Sequence, residues 1–277
     1  MGGMGNLLAV SDLHVGNQAN RDVLRSLRPL AEDDWLLVVG DVAERIDHVE
    51  WALKVLKRYF ATVIWVPGNH ELWTPPKDES GLRGEARYRE LVSRCQALGV
   101  LTPEDPYPVW DGGGEPLTIA PLFTLYDYSY RADGLSAAEA LAQAYDTGVV
   151  CTDEVYLHPD PYLSRADWSA ARVSETAARL DALDPDQRTV LVSHWPLNPT
   201  PTKRLRFPEF AQWCGTTATA DWHLRYRAAV AVYGHLHIPL DDVVDGVPFR
   251  EVSLGYPREW QPRSRPHGLP RVILPAA

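Results

Sequence analysis

Leu7-Leu8-Ala9-Val10-Ser11-Asp12-Leu13-His14 decides the fold: four apolar residues run into a polar end carrying an acid and an imidazole two positions apart. A short continuous apolar run suits a strand buried on both faces. The design recurs twice in the first third of the chain. Trp35–Val39 ends at Gly40-Asp41, and Thr62–Val66 ends at Pro67-Gly68-Asn69-His70. Between these two, Val49, Ala52, Leu53, Leu56 and Phe60 recur at helical spacing and form one apolar stripe. Strand, helix and strand joined by right-handed crossovers predict a largely buried α/β sheet.

The last third resumes the pattern. Thr189–Val192 leads to Ser193-His194, and Ala228–Tyr233 leads to Gly234-His235-Leu236-His237. Residues 242–245, a turn at Asp245-Gly246 and residues 249–254 read as a hairpin, and Arg271–Leu274 as a final strand. The middle, about 74–186, is less regular. Helices are expected over 85–98, 136–145 and 165–183, a strand over 117–123, and a Gly-rich turn at 112–114. One domain over 1–277 is expected, and the 74–186 stretch reads as a cap or insertion beside the site or as a subdomain packed away from it.

Every chemically rich residue lies just past the carboxyl end of a strand, the rim where open α/β sheets build their sites. Asp12 and His14 are two apart, so an extended segment sends both side chains to one face; His235 and His237 repeat the spacing. Asp41, Asn69 and His194 each end one strand. Asp41 has two carboxylate oxygens and can bridge two cations, neutral imidazoles add ligands without charge, and the Asn69 carbonyl completes a mixed N/O shell. Such a shell suits Mn²⁺, Fe, Zn²⁺ or Co²⁺ better than Ca²⁺. Two such ions, about 3.5–4 Å apart, activate a water and clamp phosphoryl oxygens for in-line displacement.

The bulk properties exclude other classes. The chain has 277 residues, enough for one sizeable core, and a formal net charge of −10. An acidic surface argues against generic nucleic-acid binding, while metal charge in a pocket still admits a small phosphorylated substrate. No run of about 18 apolar residues exists to cross a bilayer. Met1 to Val10 lacks a basic region ahead of an apolar run, so it reads as a first strand rather than a signal peptide, and a cytoplasmic enzyme is expected. Cys95, Cys151 and Cys214 form neither a disulfide framework nor a CxxC zinc pair.

Taken together, Asp12-Leu13-His14, Gly40-Asp41, Gly68-Asn69-His70-Glu71, His194 and Gly234-His235-Leu236-His237 resemble the calcineurin-like metallophosphoesterase superfamily. The resemblance implies a four-layer α/β architecture, a β-sandwich flanked by helices, with a dinuclear centre at its edge. By matching positions, Asp12, His14, Asp41 and His237 would hold the first metal. Asp41, Asn69, His194 and His235 would hold the second, with Mn²⁺ the expected ion. His70 would contact the substrate phosphate and protonate the leaving group, or else orient Asn69. The block from Asp41 to Ile46 resembles a protein-phosphatase motif, which implies that Glu44 polarises His70 and Arg45 forks onto a phosphate.

Within the superfamily, Val42, Ala43 and Glu44 stand where purple acid phosphatases carry a Tyr, and His237 departs from the Ser/Thr protein phosphatases. Bacterial small-molecule phosphatases and phosphodiesterases are the closer pattern; a pyrophosphatase, a nuclease or a non-catalytic metal-binding scaffold are the alternatives. Residues 207–216 and 254–260 and Tyr126-Asp127-Tyr128 bring aromatics near the rim, and Arg258 is expected to meet an anion. Trp213 and Trp260 read equally as core residues. Cys214 is not expected to act as a nucleophile.

Overall fold

Alternation within β1 (Leu7–Val10) sets the layers. Leu7 and Ala9 pack into one apolar cluster and Leu8 and Val10 into another, with all four fully buried. The structure, a computed structural model, describes residues 5–112, 114–263 and 268–276. Met1 to Met4 and Gly113 of the expected Gly-rich turn lie outside the described residues.

In chain order, β1 is followed by α1 (Gln18–Ser26), β2 (Trp35–Val39), α2 (Ile46–Leu56), β3 (Thr62–Val66), α3 (Asn69–Leu72), α4 (Gly84–Ala97), β4 (Val109–Trp110) and β5 (Leu117–Pro121). Next come α5 (Ala137–Asp146), α6 (Asp153–Tyr156), α7 (Arg165–Asp181), β6 (Thr189–Val192), α8 (Trp222–Arg225) and β7 (Ala228–Tyr233). The chain closes with β8 (Asp241–Val244), β9 (Val247–Glu251), α9 (Pro257–Trp260) and β10 (Arg271–Leu274).

One sheet has the order β10-β1-β2-β3, parallel except for β10; the other has the order β4-β5-β6-β7-β9-β8, parallel except at its two edges. Leu7, Ala9, Leu37 and Val39 from the first sheet meet Ile119, Val190, Val192 and Val230 from the second. The first sheet's outer face is covered by α1, α2 and α4, and the second's by α7 and α8. This is the expected four-layer sandwich. β5 belongs to the second sheet, so the irregular middle stretch contributes a strand to the core.

Two local readings shift. Phe60 is buried with the α2 stripe, but the helix ends at Leu56 and Phe60 enters the core from the turn that follows. The hairpin turn is at Asp245-Gly246, both left-handed (φ 50° and 83°), yet β9 starts at Val247 and stops at Glu251. Beyond it the Leu254 N–H donates to the Ser11 carbonyl, so the chain leaves the second sheet and closes on the end of β1. That crossing places the Ser253 hydroxyl on Asp12.

The sandwich interface sets one expectation. Leu37→Ala opens a cavity between the sheets and should cost about 2–5 kcal/mol in denaturant unfolding. Leu30→Ala, at a residue 70% exposed, should stay within about 0.5 kcal/mol.

Candidate metal centre

The strand ends turn sharply. Asp12, His14, Asp41, His235 and His237 all have left-handed backbones, with φ of 54°, 39°, 53°, 70° and 54°. Non-glycine residues hold this conformation only where surrounding structure enforces it, and such strain gathers at functional sites. The expected extended geometry at Asp12–His14 and His235–His237 is therefore replaced by tight turns, which fold the side chains back over the sheet edges. Close approach needs glycine: a Cβ on Gly68 would overlap the Asp41 carboxylate, and one on Gly234 would overlap Ser11 and Asp12. Asn69 and His70 open α3, so helical geometry rather than strand alternation separates their side chains.

All seven expected ligands converge. His237 Nε2 lies 2.9 Å from Asp12 Oδ1 and 3.2 Å from His14 Nε2. His194 Nε2 lies 3.4 Å from Asp41 Oδ2, 3.2 Å from Asn69 Oδ1 and 3.2 Å from His235 Nδ1. Asp12, His14 and His237, then His14, Asp41 and His70, and then Asp41, His194 and His235 form three overlapping groups, and within each the donor atoms lie within 4.8 Å of one another.

Supporting hydrogen bonds fix which atoms face inward. His194 Nδ1–H donates to the Val39 carbonyl and His237 Nδ1–H to Glu259, so each ring turns its Nε2 to the centre. The Ser11 and Ser253 hydroxyls each lie 2.6 Å from Asp12 Oδ2, and the His235 N–H donates to it at 3.1 Å, leaving Oδ1 for the centre. Glu71 accepts from the backbone N–H groups of Asp41, Val42 and Gly68 and pins two motif loops together.

The electrostatics suit cations. Burial, helped by the neighbouring His70, holds His14 down to about 3; burial and His194 hold His235 at about 3. Both rings are neutral at neutral pH. Burial works to raise Asp12 and Asp41, but His237 for the first and His194 and His70 for the second keep both ionised. Burial would lower His194, but Asp41 raises it to about 9. Two pairs of imidazole nitrogens thus face each other across 3.2 Å beside ionised carboxylates, and the buried His235 Nε2 has no partner among the described residues. The donor set fits two divalent ions.

Other sequence readings sort cleanly. Glu44 accepts from His70 Nδ1–H at 3.0 Å, as the motif suggested. Arg45 does not join the site: its side chain is exposed and forks onto Asp47, a nearby carboxylate, through two 2.9 Å bonds. Arg258 lines the pocket mouth above the Tyr256 ring. Trp213 and Trp260 are core residues with indole N–H groups on Glu154 and Asn20. Tyr126 and Cys214 are fully buried, and burial pushes the Cys214 thiol well up.

Sequence reasoning missed Glu259, Ser253, Trp73 and Asp153, and gave Tyr256 only as one of the aromatics of residues 254–260 near the rim; all five touch the centre's side chains. Glu259, like Glu71, had a local signal, a capping spacing three residues past the residue that opens its helix, Tyr256 for the one and Gly68 for the other. Trp73 packs on His70 with ring centroids 3.7 Å apart, and Tyr256 stacks on His14 at 4.3 Å. Above them opens a pocket of about 880 Å³, floored by Asp41, Asn69 and His70 and walled by Val149, Val150, Leu205, Phe207 and Phe210.

The sequence profile of calcineurin-like phosphoesterases matches residues 5–239. The chain belongs to the calcineurin-like phosphoesterase family. It is 54% identical over 270 residues to the acyl-carrier-protein phosphodiesterase PptH of Mycobacterium tuberculosis, spanning 97% of this chain and 83% of that one. The crystal structure of phosphopantetheinyl hydrolase (PptH) from Mycobacterium tuberculosis superposes with a TM-score of 0.93 at 54% identity, covering 96% of this chain and 95% of the other. This calcineurin-like phosphoesterase is accordingly a metal-dependent hydrolase of phosphate esters. Among its described residues no helix is long and apolar enough to cross a membrane.

Gly68→Ala should displace Asp41 and lower bound divalent metal, measured by elemental analysis. Gly114→Ala, where an added Cβ meets nothing within 4 Å, should leave the metal content unchanged.

Proposed function

We propose that this phosphoesterase is a phosphodiesterase that releases phosphopantetheine from an acyl carrier protein. The observation that carries the reading is the 54% identity to a phosphodiesterase of that description over 97% of the chain. The pocket supports it: an apolar wall rises from the polar floor and offers space for an extended organic arm while the carrier stays outside. Arg258 at the mouth supplies a cation near the anionic ester.

In this reading Asp12, His14, Asp41 and His237 hold one ion and Asp41, Asn69, His194 and His235 the other, with Mn²⁺ in both. When bound, the two ions activate a water and neutralise charge on the phosphoryl oxygens. Asp41 Oδ1 accepts the His70 N–H at 2.9 Å while Oδ2 faces the cluster, so the bridging carboxylate and His70 are held in one frame. Release from a carrier hydroxyl expels an aliphatic alkoxide, which needs a proton. His70 is placed to give it. Its Nδ1 is engaged by Glu44, its Nε2 lies 3.4 Å from the Tyr256 hydroxyl, and its ring is held by Trp73. Burial acts to lower its pKa, but Asp41 and Glu44 raise it above the ordinary imidazole value, which favours a proton donor. The three free, buried cysteines accord with a cytoplasmic enzyme.

Incubation with holo-acyl carrier protein and Mn²⁺, followed by intact-protein mass spectrometry, should show loss of the phosphopantetheine group. Turnover of phosphomonoesters with no loss from the carrier would overturn the reading. Asp41→Asn should lose most metal and most activity, read by elemental analysis and turnover. His70→Ala should keep two ions while kcat on the carrier substrate falls by about 10²–10⁴-fold. The fall should be far smaller for nitrophenyl diesters, whose leaving group departs without a proton.

A further inference from the structure

The middle stretch reaches the centre at one point. Residues 148–152 line the pocket, and the next residue, Asp153, starts α6 and turns its carboxylate inward, fully buried. Its Oδ1 accepts two hydrogen bonds, from Asn69 Nδ2–H at 2.8 Å and from Trp73 Nε1–H at 2.6 Å. An indole N–H only donates, so Asp153 Oδ1 is the acceptor in both contacts. The Asn69 amide, which has one donor end and one acceptor end, therefore has a single compatible orientation. Its NH₂ faces Asp153 and its carbonyl oxygen faces the centre, 3.2 Å from His194 Nε2. The same oxygen of Asp153 sets the rotation of Trp73, whose ring packs against His70 at 3.7 Å.

We infer that Asp153 is a positioning residue for both halves of the chemistry, aiming the Asn69 carbonyl at the metal site and holding the Trp73 plate against His70. The inference rests on the proposed roles of Asn69 as ligand and His70 as proton donor. A metal ligand whose outer partner is removed typically loses about 10–100-fold in affinity. The acceptor at Asp153 supplies that outer partner from a segment distant in sequence from every metal motif. Because the same segment walls the pocket, substrate space and ligand orientation share one piece of chain.

The test uses the full chain, stripped of metal and titrated with Mn²⁺ in competition with a chelator, with thermal melting as the check on folding. Asp153→Leu removes both acceptors at similar size and should weaken one of two Mn²⁺ sites by about 10–100-fold. Asp153→Asn can still present a carbonyl oxygen to both donors and should restore affinity to within a few-fold. Wild-type affinity in folded Asp153→Leu would overturn the inference, and so would equal losses in the two variants, since charge rather than an acceptor would then matter. Trp73→Phe keeps the ring and loses the donor, and it carries the test if Asp153→Leu does not fold. It should keep both ions and KM while kcat on the aliphatic diester falls, and an unchanged kcat would overturn the inference. Asn69→Ala, measured alongside, separates the two levels: two wild-type Mn²⁺ sites in that variant would remove the ligand reading itself.

Discussion

Two ionised carboxylates, Asp12 and Asp41, are buried close enough at the sandwich edge to repel each other. Burying unpaired charge is among the costliest things a fold can do, and much of the surrounding structure answers that cost. The outer oxygen of Asp12 meets two hydroxyls and a backbone N–H, and Asp41 receives the N–H of His70. Four imidazoles then approach from strand ends widely separated in the chain. What remains facing inward is a set of lone pairs and negative charge that a pair of cations would neutralise.

Holding these groups together requires backbone shapes that local sequence disfavours. Five of the converging residues are left-handed without being glycine. The strain is sustained because the strands feeding those turns are locked between two sheets and a helical layer, with side chains such as Leu37 and Val192 excluded from solvent. The crossing from β9 onto Ser11 matters for the same reason: it ties the second sheet to the first at the point where Asp12 must be held.

The chain carries a net charge of −10 yet handles an anionic ester. Local arrangement resolves the conflict, because a small, buried cationic centre governs the field inside the pocket while bulk charge acts outside it. Arg258 lines the same pocket as His70, whose pKa Asp41 and Glu44 raise against the effect of burial.

Sequence alone determined the strand runs and the seven residues that converge at the rim, and the resemblance carried by their motifs implied the sandwich. A strand buried on both faces is a continuous apolar run, and a metal site at a sheet rim places its ligands directly after such runs; both signals are local. The Glu44 contact with His70 was legible for the same reason, through a motif only a few residues long. Tertiary structure alone decided the left-handed turns, the outward course of Arg45, the end of α2 before Phe60 and the roles of Ser253, Glu259, Trp73, Tyr256 and Asp153. Most of these contacts join residues far apart in sequence, such as Asp153 and Asn69 or Ser253 and Asp12. No periodicity or spacing encodes such pairs. They exist only because the packed layers bring distant segments to one edge, where buried polar groups must find partners.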